Sequence, residues 1–351
     1  MSILDKNLRS IDPYVPGDQP KLSDMIKLNT NENPYPPAPK VREALDSFEE
    51  DKLRLYPDPN STELVSEIAK TYGVKENQVF VGVGSDDVLA CCFMTFFNSG
   101  RPVIFPRITY SFYVVWAALF KVPYETFELN PDFTVNIEDF KKENGGVIIA
   151  NPNAPTSVAL SVDELEEIVQ ANEDRVVIID EAYVDFAKDS ALRLVDKYKN
   201  VVVVQTFSKS RSMAGMRIGY AIGDEYLIKA LNDVRYSFNS YPMTRLSTTV
   251  GVEALKDKAY FEENIAKIVK TRAWTEEQLK ALGFSFPESS ANFIFATHES
   301  VKASEIYEKL KEKHIFVRYF STEGIDNYLR ITVGTDDEMK RFIEALKEIL
   351  G

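Results

Sequence analysis

A lysine flanked by two serines follows a run of valines, and an arginine comes shortly after it. The valines at 201–204 are typical of a buried parallel strand, and Ser208, Lys209 and Ser210 come just after its predicted end. Open α/β sheets bind ligands at the carboxyl ends of their strands, so Lys209 stands where chemistry is usually done. A neutral lysine amine attacks a carbonyl carbon and holds it as a Schiff base. The stretch therefore predicts covalent catalysis on a carbonyl group by Lys209.

The same stretch offers several groups that bind phosphate. The hydroxyls of Thr206, Ser208 and Ser210 lie close in sequence to the fixed positive charge of Arg217, and guanidinium groups bind phosphate with paired hydrogen bonds. Pyridoxal phosphate is the cofactor that joins an aldehyde to a phosphate, so the stretch favours this cofactor. Most Ser-Lys pairs belong to solvated loops, and residues upstream decide against that alternative.

The upstream residue that decides is an aspartate at the end of another strand. Asp180 closes the apolar run at 176–179, and a carboxylate at the end of a buried strand is costly unless a cation lies beside it. A protonated pyridine nitrogen is such a cation, and the protonated ring is the electron sink that this cofactor provides. The sequence therefore predicts that Asp180 pairs with the ring nitrogen.

Three further strand ends carry groups whose roles the sequence leaves open. The turn at 82–86, Gly-Val-Gly-Ser-Asp, opens a helix whose backbone amides suit an anion, although many strand-to-helix turns look similar. Tyr110 follows the strand at 102–105 and either stacks on a flat ring or packs in the core. The turn at 151–156 carries two free carboxamides, which either bind a ligand or only shape the turn.

Composition limits the partners of the chain. Its 351 residues are 44% hydrophobic and carry a formal net charge of -13, so the chain lacks the basic surface that binds nucleic acid or anionic membranes. An anionic ligand must then be held by a few local arginines and lysines. Cys91 and Cys92 are expected to be buried thiols, and the two histidines offer no metal-ligand spacing. We expect small-molecule substrates, no metal, and a cytoplasmic protein without a signal peptide or membrane span.

The chain is predicted to contain an arm and two domains. Residues 1–36 are rich in Pro, Asn and Asp and are expected to form an irregular arm lying over another surface. Strands alternating with helices over 37–251 predict a large α/β domain, whose mainly parallel sheet is covered by helices on both faces. Residues 252–351 begin with a long charged helix and continue as a smaller α+β domain.

The motifs taken together resemble a known family. FSK followed by AGMRIGY, with DEAY, NPNAPT, GVGSDD and KLNTNENP before it, is similar to the pyridoxal-phosphate aminotransferases of the aspartate aminotransferase fold, fold type I. Within that superfamily the arm DPYVPG, the turn LYPDPN and the ending YLRITVGT resemble histidinol-phosphate aminotransferase. The resemblance runs from Tyr14 to the final helix. Its lysine and aspartate motifs are specific to the superfamily, whereas the arm and the C-terminal arginines are less specific.

The resemblance implies a role for each cofactor residue. Lys209 would hold the cofactor through its aldehyde, Asp180 would pair with the pyridine nitrogen, and Tyr183 would bond the phenolic oxygen. Tyr110 would stack on the ring. The residues implied to hold or surround the phosphate are Ser85, Asp86, Ser208 and Arg217.

The resemblance also implies a homodimer and an anion pocket. Tyr56 would reach the phosphate from the neighbouring subunit, which makes the dimer obligate. Tyr14, Arg318 and Arg330 would bind the anionic group of the substrate. Arg330 lies in the strand pattern at 328–333, where alternation points it away from its apolar neighbours.

One turn departs from the pattern of the family. The family usually has Asn-Asn-Pro-Thr-Gly here, and its second Asn touches the phenolic oxygen. This sequence has Ala154 and Ser157 in place of that Asn and of the Gly. Either Asn153 serves as a cofactor ligand instead, or Tyr183 acts alone.

The implied reaction is amino transfer between L-histidinol phosphate and 2-oxoglutarate, which gives imidazole-acetol phosphate and L-glutamate and belongs to histidine biosynthesis. Alternatives within the superfamily are an aromatic or broad-specificity amino-acid aminotransferase and an amino-acid-phosphate decarboxylase. A ligand sensor that regulates DNA binding is a further alternative. Against the sensor, the chain has no room for a winged helix before Tyr14, and it is acidic throughout.

Overall fold

The computed structural model describes residue 4, residues 7–22 and residues 24–351. Its strands are β1 (Ile26–Leu28), β2 (Val79–Gly82), β3 (Val103–Pro106), β4 (Tyr124–Phe127), β5 (Gly146–Ala150), β6 (Val177–Asp180), β7 (Val201–Thr206), β8 (Gly219–Gly223), β9 (Phe284–Ser285), β10 (Phe293–His298), β11 (Ile315–Tyr319) and β12 (Leu329–Thr332). Its α-helices are α1 (Pro39–Asp46), α2 (Thr62–Tyr72), α3 (Ser85–Phe96), α4 (Phe112–Phe120), α5 (Val162–Gln170), α6 (Glu225–Phe238), α7 (Arg245–Lys256), α8 (Lys258–Ala281), α9 (Ala303–Glu312) and α10 (Asp336–Leu350).

The larger sheet has the strand order β2-β8-β7-β6-β5-β3-β4. Strand β8 runs antiparallel to β2 and β7, and the other neighbours are parallel. Because β5, β6 and β7 lie side by side in parallel, the residues that follow them meet at one edge of the sheet. The predicted fold, a mainly parallel sheet covered by helices, is confirmed.

Both faces of this sheet are buried, because its strands are apolar at successive positions. Ile178 packs with side chains of α3, α4 and α6, whereas Ile179, the next residue, packs with side chains of α2, α5 and α7 on the other face. Such continuous apolar runs are typical of parallel sheets with helices on both faces. Each fully buried side chain of this size contributes about 1.5–3 kcal/mol, so the sheet is a rigid base for the residues at its edge.

A second sheet has the strand order β1-β11-β12-β10-β9, and α8, α9 and α10 contribute to the apolar cluster packed on it. Strand β1 pairs in parallel with β11, so a segment near the N-terminus completes a sheet built from the last part of the chain. The arm predicted as irregular therefore contains one strand. The domain boundaries at 36/37 and 251/252 stay predictions.

Two further features bear on partners and redox state. In the described ranges, no helix has both the length and the apolar character needed to cross a membrane. The same ranges hold no group of His, Cys, Asp and Glu side chains that could bind a metal ion. Cys91 and Cys92 are buried free thiols in α3, as predicted, and burial raises the pKa of Cys91 to about 12.

Candidate active site

A cavity of about 430 Å³ lies where the carboxyl ends of β5, β6 and β7 face the second sheet. The predicted site residues that line it are Tyr14, Ser85, Asp86, Tyr110, Asp180, Tyr183, Ser208, Lys209, Arg217, Arg318 and Arg330. A separate cavity of about 660 Å³ beside β2 and α6 is lined by none of them. The structure therefore gathers nearly all the predicted residues, from both ends of the chain, around one cavity.

Lys209 projects into the cavity from the loop after β7. Its Nζ atom donates to the backbone oxygen of Thr30 at 3.0 Å and lies 5.8 Å from the centre of the Tyr183 ring. The loop is braced beneath it, because the Thr206 hydroxyl bonds the Ser208 hydroxyl at 3.0 Å. The amine is thus held between the large sheet and the N-terminal segment.

Asp180 ends β6 and is buried against the floor of the cavity. Its carboxylate accepts a hydrogen bond from the Tyr113 hydroxyl at 2.7 Å and another from the backbone N–H of Ala182 at 3.2 Å. Burial raises the pKa of Asp180 to about 6, because these two bonds do not replace the lost hydration. No lysine or arginine in the described part of the chain forms an ion pair with it. A cation in the cavity would keep this carboxylate ionised.

An anion cradle lies at the N-terminus of α3. A Cβ atom on Gly84 would lie 2.5 Å from Nη2 of Arg217, and one on Gly219 would lie 2.3 Å from the backbone nitrogen of Ser85. The two glycines therefore let the Arg217 guanidinium approach the first amides of the helix, where it also pairs with Asp86 at 3.2 Å. Helix amides and a guanidinium together form a phosphate-binding arrangement.

Aromatic side chains form another wall of the cavity. The Tyr110 hydroxyl donates to Asp86 at 2.8 Å, and burial together with this carboxylate raises its pKa. Tyr14, from the N-terminal arm, stacks on Phe112 with ring centres 4.3 Å apart and lies 6.5 Å from the Tyr110 ring. The arm thus lies over the same cavity as Tyr110, which suits the binding of a flat ring.

Two arginines lie on the side formed by the second sheet. Arg318 of β11 and Arg330 of β12 are directly opposite in register, so their side chains share one face. Arg330 donates to the backbone oxygen of Asn29 at 3.0 Å, while its buried Nε atom has no hydrogen-bond partner among the described residues. Burial lowers the pKa of Arg330. Neither arginine forms an ion pair with a carboxylate in the described part of the chain, so both charges are available to an anion.

The sequence also matches a known protein family over most of its length. A model of the family described as Aminotransferase class I and II matches residues 23–346. The chain belongs to this family. It is 52% identical over 350 residues to a histidinol-phosphate aminotransferase of Brachyspira hyodysenteriae, and the match covers 99% of both chains. A histidinol-phosphate aminotransferase of Clostridium botulinum is 49% identical over 343 residues, which cover 98% of this chain and 97% of the relative.

Solved structures share the fold of this aminotransferase. The crystal structure of the histidinol-phosphate aminotransferase from Clostridium acetobutylicum has a TM-score of 0.86 at 22% identity, covering 93% of this chain and 99% of that one. The structure of histidinol-phosphate aminotransferase from Sinorhizobium meliloti in complex with pyridoxal-5'-phosphate has a TM-score of 0.85 at 25% identity, covering 93% and 90%. The predicted aspartate aminotransferase-type fold is confirmed.

Asn153 is one predicted site residue that does not line the cavity of this aminotransferase. Its side-chain amide donates to the backbone oxygen of Ile108 at 3.0 Å and to Thr156 at 2.9 Å, and its oxygen accepts from Thr109 at 2.7 Å. Ile108 and Thr109 follow β3, so these bonds tie the turn at 151–156 to the loop after that strand. Ala154 lines the cavity at this wall instead. A role for Asn153 as a cofactor ligand stays a prediction.

Tyr56 is the other predicted residue that lies outside the cavity. Its side chain is 79% exposed, and its ring centre lies 4.8 Å from that of Tyr241. A residue that contributes to the site of a neighbouring subunit must lie outside the cavity of its own chain, as Tyr56 does. Its contact with a second subunit stays a prediction.

Sequence reasoning missed a row of asparagines between β1 and α1. Asn29 donates to the backbone oxygen of Asp18 at 2.7 Å, Asn31 to the Tyr183 hydroxyl at 2.9 Å, and Asn33 to the backbone oxygen of Ser210 at 3.0 Å. Each thus fixes a different part of the site. The signal in the sequence is the repetition of Asn at every second position in KLNTNENP.

Proposed function

We propose that this aminotransferase is a pyridoxal-phosphate-dependent histidinol-phosphate aminotransferase, which transfers an amino group between L-histidinol phosphate and 2-oxoglutarate. The observation that carries the proposal is one cavity with Lys209 and Asp180 on one side and the Arg318–Arg330 pair on the other. The two relatives named above, which this chain matches over nearly its whole length, support the choice of substrate.

The residues present fit pyridoxal phosphate. Asp180 is a buried carboxylate that lacks a cation, and a protonated ring nitrogen supplies one. The cradle made by Gly84, Ser85 and Arg217 suits a phosphate, and its glycines admit no larger side chain without a clash. Asp180 would thus bind the ring nitrogen of the cofactor, and the cradle would bind its phosphate.

Lys209 is the proposed catalytic residue. When bound, pyridoxal phosphate supplies an aldehyde carbon for amino groups and a ring that accepts the electron pair of a broken C–H bond. Lys209 Nζ is the amine that would hold this carbon at rest, and the amino group of the substrate would take its place. The released Nζ atom would then carry the proton from the substrate carbon to the cofactor carbon, and in the second half-reaction it would carry a proton in the opposite direction.

The other proposed cofactor residues would orient the cofactor and hold it in place. Asp180 would keep the ring nitrogen protonated, Tyr183 would donate to the phenolic oxygen, and Tyr110 would pack on the ring. The residues proposed to surround the phosphate are Ser85, Asp86, Ser208 and Arg217. Asp86 carries no positive charge, so its task is to fix Arg217 and the Tyr110 hydroxyl by the bonds described above.

Arg318 and Arg330, with Tyr14 above them, are the proposed binding residues for the substrate's anion. Planar guanidinium groups grip phosphate and carboxylate alike through paired hydrogen bonds. The pair therefore suits the phosphate of histidinol phosphate in one half-reaction and the carboxylates of glutamate in the other. The Nε atom of Arg330, which has no hydrogen-bond partner among the described residues, is a further donor for such an anion.

The proposal includes a homodimer in the cytoplasm. Leu53, Leu55, Tyr56 and Tyr241 are exposed large side chains, and the rings of Tyr56 and Tyr241 lie in contact. Such clustered apolar exposure favours burial against a second copy.

The proposed substrate is tested by an assay coupled to glutamate formation from 2-oxoglutarate. Histidinol phosphate, phenylalanine and aspartate are offered in turn, and Lys209→Ala protein is the control. We expect rapid turnover with histidinol phosphate and none in the control. Equal or faster turnover of phenylalanine would favour the aromatic or broad-specificity alternative. Carbon dioxide released from a phosphorylated amino acid without glutamate would favour the decarboxylase.

A further inference from the structure

Asn31 is a buried residue that links the N-terminal segment to both sheets. It is 1% exposed, and its φ of 56° lies in the left-handed region, which Asn and Asp tolerate better than other residues with side chains. Its backbone oxygen accepts from the side-chain amide of Asn292 at 3.0 Å. A residue held in this conformation on several sides has little freedom to reorient.

The hydroxyl of Thr332 fixes which end of the Asn31 amide faces the cavity. That hydroxyl accepts from the Asn31 backbone N–H at 3.0 Å and donates its single proton to the Asn31 Oδ1 atom at 3.0 Å. Oδ1 is thereby turned to Thr332, so Nδ2 is turned the other way. It donates to the Tyr183 hydroxyl oxygen at 2.9 Å.

The direction of this bond decides where the Tyr183 proton goes. An amide nitrogen is a donor without acceptor capacity, so Tyr183 cannot donate to Asn31. Its hydroxyl has no other hydrogen bond to the described residues, and its ring is bounded by Phe293, with ring centres 5.0 Å apart, and by Ala154. Ala154 has no polar side-chain atom. The Tyr183 proton is therefore left to a partner in the cavity.

We propose that Asn31 is a positioning residue that holds the Tyr183 hydroxyl as a donor toward the phenolic oxygen of the cofactor. The inference rests on the proposed function. Donation to that oxygen withdraws charge from it and weakens its attraction for the proton on the nitrogen that joins Lys209 to the cofactor. The charged and titratable groups that act on Tyr183 from the surrounding elements are Lys209, Arg330, Tyr110 and Tyr113.

The test is a pH titration of the visible absorption band of the purified holoenzyme, which reports the pKa of the linkage nitrogen. Asn31→Asp keeps the shape, the left-handed backbone and the acceptor for Thr332, but its carboxylate takes the Tyr183 proton. The pKa of the linkage nitrogen should rise by about one unit or more. Asn31→Gly also suits the backbone and adds no charge, so it should produce a smaller rise in the same direction.

Two matched variants separate this role from charge or structure alone. Asn29→Asp places a carboxylate on the same segment and on the same cavity without touching Tyr183, and it should shift the pKa of the linkage nitrogen much less. In the Tyr183→Phe background, where no hydroxyl remains to orient, the effects of Asn31→Asp and Asn31→Gly should largely vanish.

Three results would overturn the inference, and a different result would overturn the proposed function. An unchanged pKa in both Asn31 variants, an equal shift in Asn29→Asp, or a shift that persists in the Tyr183→Phe background would overturn the inference. Wild-type protein that forms no visible band with pyridoxal phosphate would instead overturn the proposed function.

Discussion

Asp180 is buried, and no described lysine or arginine forms an ion pair with its carboxylate. Burial raises its pKa from the ordinary 3.8 to about 6, and burial likewise raises the pKa of its neighbour Glu181 from 4.5 to about 7. Glu181 accepts bonds from Ser190, Ala191 and Gln205 within the fold. Asp180 and Glu181 are thus two adjacent buried carboxylates with raised pKa values, and only Asp180 is proposed to face the cofactor.

In the cofactor-free protein, we expect Asp180→Asn to become more stable relative to wild type as pH rises from about 4 to about 6. The native state binds the Asp180 proton more tightly than the unfolded state, so wild type loses free energy of unfolding through this window. Asp180→Asn has no proton to lose at this position, so its free energy of unfolding does not fall in this way. Its free energy of unfolding relative to that of wild type should therefore grow by about 2–3 kcal/mol across the window. Urea unfolding of both proteins across the window measures it.

Glu181→Gln is the control. Its relative stability should grow in the same sense but over the window from about 4.5 to about 7. Addition of pyridoxal phosphate should raise the Tm of this variant as much as that of wild type, and raise the Tm of Asp180→Asn much less. Equal shifts in all three proteins would show that Asp180 does not pair with the ring.

We expect reduction of the holoenzyme with borohydride to fix the cofactor on Lys209. Its Nζ atom lies in the cavity beside Thr30 and Tyr183, within the proposed cofactor site. Peptide mapping by mass spectrometry locates the label, and Lys209→Ala should show neither label nor visible band. A label on another lysine would remove the basis of the assignment.

The sequence was sufficient to predict that Lys209 and Asp180 lie near each other, because each follows an apolar strand of the same parallel sheet, and both line the cavity. It did not predict the hydrogen bonds of Asn153 to Ile108 and Thr109, because these two residues are distant from it in the chain. Asn31 and Tyr113 also went unpredicted, since their partners Tyr183 and Asp180 are distant in the chain and only the folded packing brings them together.

At the scale of elements, the register of β11 and β12 decides the substrate side of the cavity. The pairing sets Arg318 opposite Arg330 on one face. The strand pattern around Arg330 predicted its direction, but not its neighbour, because register depends on contacts between strands rather than on either strand alone. Strand β1 escaped prediction for the same reason, since its three residues are strand only through pairing with β11.

We expect Arg318→Ala to weaken the binding of histidinol phosphate by about ten- to a hundredfold, because a hydrogen bond to a charged group contributes roughly 1.5–3 kcal/mol. Binding of dephosphorylated histidinol should hardly change. Titration calorimetry with both compounds measures this, and Arg341→Ala, an exposed arginine of α10, is the control. An equal loss for both compounds would mean that Arg318 does not read the phosphate.

For the molecule as a whole, several aromatic side chains remain exposed in the part of the chain that the structure describes. Tyr56, Tyr236, Phe238 and Tyr241 keep 79%, 40%, 55% and 46% of their surface exposed. Two copies that each carry a net charge of -13 repel each other. Apolar side chains must therefore supply the driving force for a dimer. The motif LYPDPN predicted the role of Tyr56 by resemblance only, since no pattern within one chain specifies a partner's surface.

The dimer proposal has a quantitative consequence for mixed subunits. Lys209→Ala and Tyr56→Ala proteins should each have little activity. In a heterodimer of the two, one site carries both defects, whereas the other combines Lys209 of one subunit with Tyr56 of its partner and is complete. Random mixing makes about half of the dimers mixed, so an equimolar mixture unfolded and refolded together should recover about a quarter of wild-type activity.

Native mass spectrometry establishes the fraction of heterodimers, and a mixture of each variant with itself, treated in the same way, gives the baseline. Recovery that follows the heterodimer fraction requires the two residues to act in one site from different chains. Activity at baseline despite abundant heterodimers would place Tyr56 in its own subunit's site or outside any site. The exposed cluster around Tyr241 would then need a different occupant, because a second copy seated there would no longer explain why Tyr56 matters.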